Sequence, residues 1–76
     1  MTPYEGLANA IIEQAAKDYH KALRYHFAHP ERVSYKREVE SIGRFFRSGW
    51  YQELTNVSGE YIIRRLRAIV SEEMSA

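Results

Sequence analysis

TPYEGLANAIIEQAAKDYHKALRYHFAHP, residues 2–30, reads as one uninterrupted helix. Its start is a capping box: Thr2 as N-cap, Pro3 at the first helical position and Glu5 at the third. Apolar residues then recur at Tyr4, Leu7, Ala8, Ile11, Ile12, Ala15, Tyr19, Ala22, Leu23 and His26, the 3.6-residue period of a buried stripe. Glu13, Lys17, His20, Lys21 and Arg24 lie mostly off it. His29-Pro30 ends the pattern, because proline disfavours helical backbone in the residue before it, so the helix is predicted to run to about Ala28. Some 25 residues at ~1.5 Å each give ~37 Å. A compact chain of 76 residues has a radius of gyration of ~11 Å, hence a diameter of about 30 Å. A helix longer than its own domain overhangs it or packs on another copy, and an oligomer is expected.

Outward from this helix the same periodicity continues in shorter pieces. After a loop around Pro30 to Val33, Ser34 is positioned to cap a second helix with Tyr35, Val39, Ile42, Phe45 and Phe46 on its apolar face. Ser48-Gly49 interrupts it and starts a short third helix through Trp50, Tyr51 and Leu54. Residues 55–59, Thr-Asn-Val-Ser-Gly, are the next punctuation. Ser58 or Asn56 then caps a last helix to about Glu73, with Ile62, Leu66, Ile69 and Val70 on one face. No strand pair, repeat or linker interrupts this series. The expectation is an all-α protein, a compact three- to four-helix domain over residues 1–76 with a long N-terminal helix.

Composition narrows the class. With 45% hydrophobic and 13% aromatic residues the chain is too apolar for disorder. It has no cysteine, which excludes disulfides, and three histidines without thiols do not make a structural zinc site. No apolar run approaches the roughly 18 residues of a membrane span. The N-terminus lacks the basic start and apolar middle of a secretion signal, so the expected location is the cytoplasm.

Net charge is +1, which argues against a general nucleic-acid coat, but eight of the eleven cations are Arg. Arg pairs bidentately with phosphate or carboxylate and stacks on aromatic faces. The richest segment is residues 44–67. It offers two helix N-termini, at Ser48-Gly49 and Ser58-Gly59, where free N–H groups and the helix dipole suit anions. Arg44, Arg47, Arg64 and Arg65 lie nearby, Trp50, Tyr51 and Tyr61 supply stacking faces, and Ser48, Thr55 and Ser58 supply hydroxyls. Phosphate handles beside stacking surfaces are what a nucleotide pocket needs. The competing reading is structural: Phe45, Phe46, Trp50 and Leu54 also have core spacing, and Ser48 and Ser58 also read as plain caps.

Catalytic patterns are missing. Asp18 is the only Asp, and its neighbours Tyr19 and His20 diverge by about 100° per residue around a helix. There is no GxSxG, P-loop, GxGxxG or cysteine nucleophile, and Glu53 and Glu60 read as surface partners of Arg. His26 and His29 share a helix face near Glu31 without a metal-binding pattern. A helix-turn-helix role for Arg64-Arg65-Leu66-Arg67 is opposed by Glu60, Glu72 and Glu73 on the same helix.

Residues 8–19 (ANAIIEQAAKDY), 45–55 (FFRSGWYQELT) and 59–62 (GEYI) resemble small uncharacterised helical proteins encoded by phages and prophages of Firmicutes. The resemblance spans roughly residues 8–67 and carries no transferable site residue. It implies a counter-defence role in the host cytosol. Two forms are expected: an oligomeric sponge that sequesters a cyclic oligonucleotide or cyclic ADP-ribose signal, or an anti-CRISPR-like inhibitor, or small adaptor, that binds a host defence protein. The Arg-rich, aromatic-rich segment agrees with the sponge. No cofactor is implied.

Overall fold

The computed structural model describes residues 2–75, and among them are four helices: α1 (Pro3–Ala28), α2 (Val33–Phe46), α3 (Gly49–Leu54) and α4 (Gly59–Met74). The protein is all-α. The capping box at α1 forms as the sequence expects: Glu5 N–H donates to Thr2 Oγ1 at 3.2 Å, and Thr2 N–H donates to the Glu5 carboxylate at 3.3 Å. α1 ends at Ala28, and His29 N–H closes the last turn on Tyr25 O.

The start of α2 departs from expectation. Ser34 is not its cap; Arg32 holds the N-cap position and makes no side-chain cap bond. A turn with Pro30 at its second position closes through Arg32 N–H on His29 O at 3.0 Å. The turn reverses the chain so tightly that Val33 is already helical. The two later caps match: Ser48 Oγ accepts from Tyr51 N–H at 3.1 Å, and Ser58 Oγ from Tyr61 N–H at 3.3 Å.

α1 is the spine against which all three other helices pack. The core joins Tyr19, Ala22 and Leu23 of α1, Val39 and Phe46 of α2, Tyr51 of α3, and Ile63 and Val70 of α4. Each large side chain buried here contributes about 1.5–3 kcal/mol. Aromatic edge-to-face contacts knit the middle: Phe46 meets Tyr19 at 5.9 Å and Tyr51 at 5.5 Å between ring centroids. Nearer the chain reversal, Tyr25 stacks on Tyr35 at 5.3 Å.

Two residues of the α1 stripe are exposed. Tyr4 and Leu7 are 61% and 62% exposed, because they lie on the outer side of α1, while Ala8 beside them is buried. The molecule measures 42 × 24 × 17 Å, and its long dimension is close to the ~39 Å of a 26-residue helix. Its radius of gyration, 13.2 Å, exceeds the ~11 Å of a compact chain of this length.

Gly59 is where α4 meets the end of α2. A Cβ there would overlap the Phe46 carbonyl oxygen and lie 2.8 Å from its carbonyl carbon, and a backbone carbonyl cannot swing aside. Gly49, by contrast, faces open space. Gly59→Ala is therefore expected to destabilise by about 1–3 kcal/mol. That lowers Tm by roughly 4–8 °C per kcal/mol in a domain this size. Gly49→Ala is expected to stay within about 0.5 kcal/mol of the parent. Thermal unfolding followed by circular dichroism checks both.

Candidate functional site

The ten residues singled out in the sequence are placed by two successive helix junctions. α2 ends at Phe46, Ser48 starts α3, and the loop over residues 55–58 returns the chain to α4. This brings Arg47, Tyr51, Thr55 and Ser58 to the rim and floor of one open depression of about 320 Å³, together with Gly59 and Glu60. The other six lie elsewhere. Arg44 is exposed on α2, Ser48 lies under the α2–α3 junction, and Tyr61, Arg64 and Arg65 are exposed on α4. Trp50 is 55% exposed and packs edge-on to Phe45 at 5.5 Å. It borders a different depression, shared with Ala10, Ile11, Ala15 and Asp18 of α1.

Most polar groups around the first depression already have partners. Arg47 Nε donates to Glu60 Oε1 at 2.5 Å. That hydrogen bond is the main reason the Glu60 carboxyl is held below its ordinary range, with the charges of Arg47, Arg64 and Arg67 adding to it. It also raises Arg47 above its usual value. Ser48 Oγ accepts from Tyr51 N–H and donates to Phe45 O at 2.6 Å, so its one donor is committed. Thr55 Oγ1 accepts from Val57 N–H, and Ser58 Oγ caps α4.

Tyr51 is buried without such a partner. Its side chain is 1% exposed and its phenol has no hydrogen-bond partner; burial pushes that phenol's pKa up. The sequence offered Tyr51 as a stacking face, and the structure corrects this: its ring is buried in the core, in edge-to-face contact with Phe45 and Phe46. At 100° per residue, neighbouring Trp50 and Tyr51 diverge, and only one of them can face inward.

Glu60, read from the sequence as a surface partner of Arg, is the direct partner of Arg47, thirteen residues away across the loop. Two groups escaped the sequence reading. Arg67 Nε donates to Tyr19 Oη at 3.2 Å and so satisfies the one polar atom of that buried ring. A third depression of about 480 Å³ gathers His20, Lys21, Arg24 and His29 beside Met74, with His20 bonded to Glu73 at 2.8 Å. The pairings cross separations of 13 to 53 residues, and no local spacing encodes them.

No helix among the described residues is long and apolar enough to cross a membrane. Compared with known proteins, the chain matches no family model, no curated protein and no solved structure. Its surface chemistry alone carries the functional reading.

Two outcomes test this description. Glu60 has a lowered folded-state pKa, so its pairing with Arg47 stabilises the fold above the unfolded carboxylate value of 4.5 and is lost as pH falls through the folded value. The parent is therefore expected to exceed Glu60→Gln in stability at neutral pH, and the gap to close below about pH 4.5 in urea titrations. Tyr51→Phe removes a buried hydroxyl without a partner and is expected to raise stability by about 1 kcal/mol. A loss of that size in the same titration would instead show the phenol to be bonded.

Proposed function

We propose that this chain is a non-catalytic binding protein that captures another protein through the outer face of α4. The observation that carries the reading is the stripe of Tyr61, Arg64 and Arg65. These residues recur at three- and four-residue spacing, all three are exposed, and neither Arg has an ion-pair partner among the described residues. Arg47, by contrast, is held by Glu60. Tyr and Arg are the residue types that dominate interface energetics when a partner desolvates them. Two adjacent guanidinium groups favour a surface rich in carboxylates. Inhibition of a host defence effector, or an adaptor role, is the form of action that agrees with the phage resemblance.

A second reading keeps the nucleotide sponge at the depression beside Gly59. Four of the ten sequence-derived residues do line it, at the N-terminus of a 16-residue helix. A phosphate there has to displace Glu60 from Arg47. Trp50 and Arg65 are not part of that lining, which makes it a poorer nucleotide pocket than the sequence promised.

Affinity capture from nuclease-treated lysate separates the two. The parent is expected to retain a stoichiometric protein partner, and Arg64→Glu/Arg65→Glu to lose it. Loss of one hot-spot Arg costs about 2 kcal/mol, roughly a thirty-fold weaker Kd. Thermal unfolding against cyclic nucleotides and ADP-ribose derivatives is expected to be flat. A ligand at ~100 times its Kd stabilises by about 2.7 kcal/mol, and such a shift abolished by Arg47→Ala would replace the protein partner with the sponge.

A further inference from the structure

We infer that the α1 face bearing Tyr4, Leu7 and Ile11 is a two-fold dimer interface, with a second copy of this chain as its occupant. The inference uses a different residue set from the α4 stripe and stands or falls separately.

The first observation is surface area. The chain exposes 5501 Å², whereas a monomeric protein of 8.9 kDa typically exposes ~4800 Å². The surplus of about 700 Å² is close to the ~800 Å² that each partner contributes to a standard interface. It goes with the elongated 42 Å shape that α1 imposes.

The second observation is where the apolar surface lies. Tyr4 and Leu7 are exposed, and Ile11 is half-buried and stands outside the core cluster that takes in its neighbour Ile12. Ile11 continues into the shallow depression walled by Ala15, Phe45 and exposed Trp50. An exposed apolar face near the start of α1 thus adjoins an apolar hollow on the same molecule.

The third observation is self-complementarity, which a two-fold interface requires. Positions 4, 7, 11, 15 and 18 follow one helix face at three- and four-residue steps, symmetric about position 11. If two α1 helices pair antiparallel about Ile11, Ile11 meets its own copy. Large Leu7 then falls opposite small Ala15, which lines the hollow. Tyr4 falls opposite Asp18, whose carboxylate can accept from the phenol in addition to its bond from Gln14. Every position of the seam has a partner of fitting size or polarity. A parallel pairing would set Leu7 against Leu7 and Asp18 against Asp18, and would leave both hollows empty.

The chain has no cysteine, which makes the register directly testable. Sedimentation equilibrium is expected to show a species of twice 8.9 kDa for the parent and a monomer for Leu7→Glu. The two proteins should have the same circular dichroism, since Leu7 is not in the core. Under mild oxidation Ile11→Cys is expected to form a disulfide dimer, while Glu13→Cys, on the far side of α1, is not. Leu7→Cys and Ala15→Cys should cross-link to each other when mixed. A parent that stays monomeric at every concentration overturns the inference. So does a dimer that Leu7→Glu leaves intact, or one that cross-links at position 13 and not at 11.

Discussion

The end of α2 is the point on which the rest of the structure depends. The ring of Phe46 packs edge-on to Tyr19 of α1 and Tyr51 of α3, while its carbonyl presses against the backbone of Gly59. One residue thereby fixes the approach of three helices to a fourth. The contact with Gly59 is backbone to backbone and has no side-chain slack. It sets the angle at which α4 leaves the loop, and with it which face of α4 reaches the core.

That geometry governs the chemistry of the surface. Once Ile63 and Val70 face inward, helical periodicity turns Tyr61, Arg64 and Arg65 outward. The same loop brings Glu60 within reach of Arg47, and the pair neutralises the cation nearest the depression. The hydroxyls of Ser48, Thr55 and Ser58 serve the backbone groups that helix ends leave unsatisfied. A segment rich in anion-binding groups by composition is, in the fold, largely self-satisfied. What it still offers is the α4 stripe.

A chain of this size pairs a 26-residue helix with partners of 14, 6 and 16 residues. Helices of such unequal length cannot cover each other end to end. Near the start of α1 the inner face buries Ala8, while Tyr4 and Leu7 on the outer face stay exposed. The mismatch shapes the molecule and gives the proposed two-fold seam its position.

Local signals in the sequence determined the helices. The Thr2-Pro3-Tyr4-Glu5 box, the Pro30 stop and the Ser48 and Ser58 caps act within four residues, and the structure realises each of them. Ser34 failed as a cap because a competing local element, the turn closed on His29, placed the start of α2 before it. The core was largely legible: Tyr19, Ala22, Leu23, Val39, Phe46 and Val70 follow from periodicity, while Tyr51 and Ile63 do not. The candidate site was least legible. Whether Arg47 is free, whether Tyr51 or Trp50 faces solvent, and whether ten residues converge all depend on contacts between helices. Periodicity states which residues share a face of one helix, and only tertiary packing decides what that face meets.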